Sequence, residues 1–383
     1  MIYMDINTFF SPKAGGIRTY HLAKIAWFQK CPQHQYFLVS PGNTYKTTEV
    51  GPSVTLVEAF GPAVTHDLAG YRILLDYFRI LTLIVRTKPD VLEAGDPWLT
   101  GLFCLALKKS GFYKGLLVSF YHSDPIPSYL MPWAQSGRFR GLKKIVVASV
   151  ARLFYRLQQG YDLTATASKT MEMSLRKNGI QSIAYLPFGV PEKFLTQMPL
   201  RASGRSRLLY AGRLDREKGI ELVLAAITKL LAIDHIEITV MGRGSYSEQF
   251  LEIKHPRYHF LGFLEKPEEV LAVYDHHDIL LAPGPFETFG LGVLEAMARG
   301  MIVVGPDQGG TAELLQEVSS PFIFKADDLN DFLRKIDLAR DSNPLEEAKR
   351  SMNLALKYGS WDQAVQRMAR RYGFSMPLVE VAQ

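Results

Sequence analysis

The sequence predicts an α/β protein of two doubly wound domains. Short β-branched runs alternate with helical stretches along the whole chain, the pattern of parallel sheets with helices on both faces. At 383 residues the chain is too long for one ordinary core. A stretch rich in proline and glycine, Pro187–Arg207, interrupts the alternation near the middle. These observations set a first domain over residues 1–188, a linker over 189–206, a second domain over 207–360 and a closing helix over 361–375.

In the first half, Ile2–Asn7, Tyr36–Ser40, Val54–Glu58, Val91–Glu93, Leu116–Phe120 and Asp162–Ala167 read as strands. Arg18–Gln29 and Tyr71–Arg86 read as helices between them. In the second half the strands are Arg207–Ala211, Glu237–Met241, His259–Leu261, Ile279–Ala282, Met301–Gly305 and Phe322–Phe324. Helices fit Glu221–Leu231, Leu291–Arg299 and Asp328–Ala339. The closing helix places Trp361, Val365, Met368 and Tyr372 on one face, and Gly373 is a natural stop.

The composition, 47% hydrophobic and 21% charged, is that of a folded chain and argues against disorder. Cys31 and Cys104 are too few for a disulfide framework, and they form no CxxC pair. The N-terminal MIYMDINTFF has no basic region leading into an apolar core, and no apolar run is long enough to span a bilayer. The expected location is the cytoplasm or the inner face of the cytoplasmic membrane. Residues 1–200 hold 22 Lys/Arg against 12 Asp/Glu, while the remainder holds 22 against 26. The basic first half suggests an anionic surface or partner.

Four segments carry chemistry. In Glu287-Thr-Phe-Gly-Leu-Gly-Val-Leu-Glu295, Gly290 and Gly292 stand at a helix start, where unpaired N–H groups and the helix dipole suit a phosphate. Glu287 precedes the helix and Glu295 lies two turns along it. One carboxylate can bond sugar hydroxyls while the other reaches a ribose; alternatively the two are a cap and a solvated face. Tyr210-Ala-Gly-Arg-Leu-Asp-Arg-Glu-Lys-Gly219 places Arg213 and Lys218 on a strand-to-helix loop, either as counter-charges to a diphosphate or as solvated turn residues. Gly15 and Gly16 open the first helix and let a ligand approach the backbone, but the segment is neither GxGxxG nor a P-loop. His122 and Asp124 follow the strand Leu116–Phe120, at the end where such sheets bind ligands. His122 can bond a sugar hydroxyl or support developing charge, or be structural. Asp124 can orient an acceptor or cap a turn. Asp275-His276-His277-Asp278 is not read as a metal site, because neighbouring residues entering a strand point to opposite faces. No Asp-x-Asp is present to seat a cation on a diphosphate.

Together these segments resemble the retaining nucleotide-sugar glycosyltransferases of the GT-B fold, glycosyltransferase family four. The resemblance covers essentially the whole chain. It rests on Gly15-Gly16, His122, Gly212-Arg213 with Lys218, Gly242-Arg-Gly244, Phe286-Glu-Thr-Phe-Gly-Leu291 with Glu295, Gly309-Gly310-Thr-Ala-Glu313 and Ser360-Trp361. It implies two Rossmann-like domains facing a central cleft, with the nucleotide mainly on the second and the closing helix packed back on the first. Arg213 and Lys218 would bind the diphosphate, Glu287 the transferred sugar, and Glu295 the ribose. Backbone N–H groups from Thr288, Phe289, Gly290 and Leu291 would surround phosphate and sugar. Gly242, Phe263 and Leu264 would border the donor, the last two beside its base, and Gly15-Gly16 would close over the phosphates.

The resemblance also implies retention by front-face departure and attack, with the leaving phosphate taking the acceptor's proton. The co-substrate would be a UDP- or GDP-sugar, with no other cofactor and no metal. The stretch from His122 to Tyr129 is similar to the His-x-Asp-x-Pro-x-Tyr stretch of members that glycosylate diacylglycerol, with Pro127 displaced by one residue. Asp124 and Tyr129 are its acceptor-side candidates. A lipid or glycan of the cell envelope is the expected acceptor, and nucleic acid is not an expected partner. Two alternatives stay open: a GT-B nucleotide-sugar epimerase, and a sugar-nucleotide-binding partner that has lost catalysis.

Between Pro125 and Tyr161 there is no Asp or Glu but there are six Lys/Arg. Val146, Val147, Val150, Leu153, Phe154 and Leu157 recur there at helical spacing. The segment is expected either to lie on an anionic membrane with this apolar face inserted, or to be a core helix with a solvated basic edge.

Overall fold

The computed structural model describes residues 1–10, 15–64, 72–122, 125–126, 130–135, 140–195 and 206–374. The chain divides into two compact units: Met1–Pro187 with the chain from Asp362 onward, and Phe188–Trp361.

The first unit contains β1 (Ile2–Ile6), α1 (Gly15–Gln29), β2 (Gln35–Gly42), β3 (Lys46–Glu49), β4 (Val54–Phe60), α2 (Tyr77–Thr87), β5 (Val91–Ala94) and α3 (Leu99–Lys109). It continues with β6 (Leu116–Phe120), α4 (Met131–Gln135), α5 (Arg140–Gln158), β7 (Leu163–Thr166), α6 (Lys169–Lys177) and β8 (Ile183–Tyr185). Its sheet runs β3-β4-β2-β1-β5-β6-β7-β8, parallel except for the β3–β4 pair. The strands are short and apolar because helices cover both faces. On β1, Met4 and Ile6 join the core beneath α2 and α3, while Tyr3 and Asp5 meet Lys24 of α1 on the other face. Right-handed crossovers from β4 to β5, β5 to β6 and β6 to β7 all run in one direction along the sheet. They put α2, α3 and α5 on one face.

The second unit contains β9 (Ser206–Ala211), α7 (Ile220–Leu231), β10 (Ile236–Met241), α8 (Ser247–Glu252), β11 (Tyr258–Gly262), α9 (Pro267–His276) and β12 (Ile279–Leu281). It closes with α10 (Leu291–Ala298), β13 (Ile302–Pro306), α11 (Gly309–Glu317), β14 (Ile323–Phe324), α12 (Leu329–Arg340) and α13 (Pro344–Tyr358). The all-parallel sheet runs β11-β10-β9-β12-β13-β14, so the strand order reverses between β9 and β12. Helix starts follow their sequence signals: Asp328 caps α12, and Asn343 caps α13 with Pro344 in the first turn. The last helix, α14 (Trp361–Arg371), buries Val365 and Met368 in the first unit.

Three sequence readings shift. The helix expected from Tyr71 starts at Tyr77. Before it, Ile73 and Leu75 are still hydrogen-bonded to Pro62 and Phe60, and Asp76 supplies the cap. β3 was not read, because its Lys-Thr-Thr-Glu is exposed throughout and carries no apolar alternation. Phe188–Leu195, within the stretch read as linker, packs into the second unit. Val190 bonds the backbone of Gly359 and Trp361, and the Phe194 carbonyl accepts from Arg299.

Candidate active site

In an open parallel sheet the ligand crevice lies beyond the C-terminal strand ends, where the strand order reverses. In the second unit that point is between β9 and β12, and the loops after these strands interlock there. Gly219 has φ +67°, and a Cβ on it would lie 2.6 Å from the Pro283 carbonyl oxygen. This close approach brings Lys218 Nζ to 2.7 Å from Glu287 Oε1. Gly310 N–H donates to the Glu287 carbonyl oxygen at 2.6 Å, and a Cβ on Gly310 would overlap the backbone of Phe289. The Gly309-Gly310 pair is thus the surface against which the Glu287 loop rests.

Gly290, at φ +84°, ends that loop as the N-cap of α10 and brings no side-chain cap, so the helix start is left open for an anion. Leu291 is the first helical residue, and Thr288 is partly buried. Phe289 is a core residue: its ring packs edge-on against Phe188 and Tyr358, which leaves only its backbone for a ligand. Glu295, two turns into α10, accepts from the Tyr274 hydroxyl at 3.4 Å. Burial of its carboxyl pushes its pKa up to about 7, against the lowering effect of that bond.

Arg213 lies on the loop after β9, but its guanidinium is held by Asp215 at 2.9 Å and Glu217 at 2.6 Å. To meet a diphosphate it must exchange these carboxylates. Gly242, after β10, has φ +146°, and a Cβ there would sit 1.8 Å from the Gly212 carbonyl oxygen. This contact knits the loops after β9 and β10. Phe263 is exposed beyond β11, with Leu264 partly buried beside it. The Arg243 guanidinium lies 4.4 Å over the Phe263 ring. Sequence reasoning quoted Arg243 only inside Gly242-Arg-Gly244 and did not single it out, and it missed Tyr274 altogether. A cation and an aromatic ring on the loops after two neighbouring strands, 20 residues apart, leave no local signal.

The histidine pair is structural. Asp275 and Asp278 are paired with Arg299 and Arg207, and His277 Nδ1 bonds the Val273 carbonyl. Among the described residues no group of three His, Cys, Asp or Glu side chains is placed to hold a metal.

In the first unit the reversal falls between β1 and β5. The loops after β1, β5 and β6 meet there around a cavity of about 30 Å³ lined by Phe9, Gly95, Ser119 and His122. A Cβ on Gly95 would collide with the Asn7 side chain, and Thr8 donates to Asp96 at 2.7 Å. His122 stacks on Phe120 and meets Tyr20 edge-on, with centroids 4.7 and 4.9 Å away. Burial pulls its pKa down to about 3, so at neutral pH it is an uncharged imidazole. That state favours the hydrogen-bonding role over a charge-bearing one. Gly15, at φ +88°, and Gly16 open α1 on an exposed surface. Asp124 and Tyr129 lie outside the described residues.

Beneath His122 is a buried network that sequence reasoning missed. The Tyr20 hydroxyl donates to Glu93 at 2.8 Å, and Lys24 Nζ donates to Asp5 at 2.6 Å, Glu93 at 3.0 Å and the Tyr3 hydroxyl at 2.6 Å. Tyr372, just after α14, also reaches Glu93. Burial, only partly offset by Lys24, pushes the Glu93 carboxyl up to about 7.

Two doubly wound units of this kind make up the GT-B fold, the fold of glycosyltransferases of known structure, and the chain has that fold. Residues 205–340 match the family described as glycosyl transferases group 1. The chain is 27% identical over 266 residues to a sulfoquinovosyl transferase of Arabidopsis thaliana, covering 67% of this chain and 51% of that one. It thus spans about half the length of that relative. It is 24% identical to a GDP-mannose-dependent phosphatidylinositol dimannoside mannosyltransferase of Mycobacterium tuberculosis, over 82% of both chains. Among solved structures it resembles sucrose-phosphate synthase of Thermosynechococcus elongatus, with TM-score 0.71, 19% identity and coverage of 97% and 98%. It also resembles Anabaena HepE in complex with UDP-glucose, with TM-score 0.66, 16% identity and coverage of 97% and 99%. At these identities the structural likeness concerns the fold.

Proposed function

We propose that the protein transfers a hexose, with retention of configuration, from a nucleoside-diphosphate sugar to a lipid or glycan of the cell envelope. The observation that carries this reading is the Lys218–Glu287 pair beside the uncapped start of α10. A donor diphosphate at that helix start meets the helix dipole and the Lys218 ammonium, and Arg213 turns toward it from Asp215 and Glu217. Glu287, released from Lys218, accepts hydrogen bonds from the sugar hydroxyls. Glu295 accepts from the ribose. Phe263, backed by Arg243, offers a flat apolar surface to the base. His122 of the first unit, as a neutral imidazole, is suited to hydrogen-bond a ligand hydroxyl rather than to carry charge.

As the bond from the anomeric carbon to the diphosphate oxygen breaks, negative charge grows on the leaving group, where Lys218, Arg213 and the α10 N–H groups stabilise it. The acceptor hydroxyl attacks from the same face and gives its proton to the departing phosphate. In this scheme the diphosphate charge is met by protein cations, without a metal. Glu287 and Glu295 do not act as the acid–base pair of a hydrolase, because neither has to carry the transferred proton.

A mannosyl donor and a lipid acceptor in one relative, and UDP-glucose in one structural neighbour, support a hexosyl donor and leave uridine and guanosine as the candidate bases. Among the described residues no helix is long and apolar enough to cross a membrane. The reading places the enzyme at the inner face of the cytoplasmic membrane. A panel of UDP- and GDP-hexoses, scored by donor hydrolysis and then by transfer to envelope lipids and glycans, tests it. A folded protein that binds no donor in the panel would overturn it.

A further inference from the structure

The buried network beneath His122 has no part in the proposed reaction, and the burial of its charges works against stability. Lys24, Asp5 and Glu93 are all fully buried, so two carboxylates share one ammonium out of reach of water. The cost of desolvating buried ions commonly cancels their attraction, and apolar side chains of equal size often stabilise a fold as well or better. What a bonded network supplies instead is direction, because each hydrogen bond fixes the group that makes it.

These bonds converge on Tyr20 of α1. Its hydroxyl donates to Glu93 Oε1 at 2.8 Å and lies 3.4 Å from Met368 Sδ of α14. Lys24, one turn further along α1, donates to the same Glu93 oxygen at 3.0 Å and holds its ammonium 4.2 Å from the centre of the Tyr20 ring. The other Glu93 oxygen accepts from the hydroxyls of Tyr3 and Tyr372. Tyr20 is therefore fixed at its tip by a carboxylate of β5 and at its face by a cation of its own helix.

The same ring reaches His122. The two rings meet edge-on at 4.9 Å and 77°, and Tyr20 lies 4.9 Å from Phe120. His122 in turn stacks on Phe120 at 4.7 Å and 25°. The imidazole thus rests in a corner, with Phe120 as its floor and Tyr20 as its wall. The floor belongs to β6 and is held by the sheet. The wall comes from α1, which meets the sheet here through Tyr20, His21 and Lys24, all fully buried. Apolar contact alone has no preferred direction and would let the ring slide, whereas the tether to Glu93 does not. A hydrogen bond to an imidazole nitrogen lies near the ring plane, so a tilt of the ring turns the bond away from its partner.

We propose that Tyr20 is a positioning residue for His122: tethered through Glu93 and Lys24, it sets the plane in which the imidazole meets a ligand hydroxyl. The proposal rests on the reading that His122 makes that contact during transfer. Tyr20 itself acts only through His122.

Tyr20→Phe keeps the ring and removes the tether. Glu93 keeps its bonds to Lys24 and Tyr3, so the variant should fold with a melting temperature close to that of the wild type. Its kcat in transfer or donor hydrolysis should fall by about tenfold or more, while the donor KM, which the reading assigns mainly to the second unit, changes little. In a His122→Ala background the same substitution should cost nothing further, because its effect passes through the imidazole. Glu93→Gln still accepts from Tyr20 and should keep most of the turnover that Glu93→Leu loses, and both leave Lys24 paired with Asp5. In histidine-labelled protein without donor, the Cε1–H resonance of His122 is identified by its loss in His122→Ala. It should shift or double in Tyr20→Phe, although the neighbouring ring is retained.

An equal fall in kcat with and without His122, or an unmoved His122 resonance, would overturn the proposal. So would full turnover by His122→Ala, which lacks the contact that Tyr20 sets. The resonance is read without donor, so its outcome does not depend on the glycosyl-transfer reading, which binding of a nucleoside-diphosphate sugar by the wild type tests separately.

Discussion

Replacing Glu287 by alanine removes one carboxylate and leaves the loop that carries it anchored. The Glu287 carbonyl still accepts from Gly310, and Gly219 still packs on Pro283. The lost ion pair with Lys218 is partly solvated, with side chains 22% and 30% exposed. Its stability cost should therefore be about 1 kcal/mol or less. If the carboxylate bonds the sugar as the glycosidic bond loosens, its loss removes about 2–4 kcal/mol of transition-state stabilisation. That is a fall of about 30- to 1000-fold in kcat/KM. The assay is transfer, or donor hydrolysis, by a variant whose melting temperature shows it folded. A companion Lys218→Ala and the double variant complete a cycle, because the two side chains touch and their effects should not add. Near-normal turnover in folded Glu287→Ala would refute the assignment and leave the pair as a structural tie between two loops.

Arg213→Ala and Lys218→Ala should each weaken binding of the nucleoside diphosphate as well as the rate, read by calorimetry, and a chelator should leave binding unchanged. A strict need for added Mg²⁺ or Mn²⁺ would contradict the metal-free scheme. Glu295 should make donor affinity pH-dependent: with its carboxyl raised to about 7, binding should tighten as pH rises through neutrality and the ribose meets an ionised acceptor. Glu295→Gln should flatten that profile. For stability the sign is opposite. A carboxyl whose folded pKa exceeds its unfolded value binds more protons when folded, so its contribution falls as pH rises from about 4.5 to about 7. His122, held neutral with its pKa lowered to about 3, contributes stability that is present above its unfolded pKa near 6.5 and is lost as pH falls toward 3. His122→Gln should reduce this acid sensitivity in thermal melts, and the kcat profile of the wild type should show no step from this histidine near pH 6.5.

Local pattern carried much of this protein. The alternation of β-branched runs with helical stretches marked twelve of the strands, because burial on both faces makes parallel strands short and apolar in a way any window can read. Gly290 before Leu291, and Gly219 before α7, marked helix starts because each needs the left-handed backbone that glycine takes most readily. The absence of acids from Pro125 to Tyr161 was plain in the sequence too.

What each group touches was not legible. Lys218 meets Glu287 across 69 positions, and Tyr274 meets Glu295, because strand order places loops side by side, and strand order has no signature in any one segment. The same holds for Lys24, Asp5 and Glu93, three charges that burial brings into one network from a helix and two strands. Burial also decided chemistry: it placed the Phe289 ring in the core, leaving only its backbone to meet a ligand, and left His122 uncharged. On α5 the helical period grouped Val146, Val147, Val150, Leu153, Phe154 and Leu157 on one face, but of these Val147 and Phe154 are buried while Val146 and Leu153 are exposed. Packing against Tyr121 and the neighbouring helices turned Phe154 inward and Ile145 outward, because a helix can bury only one side.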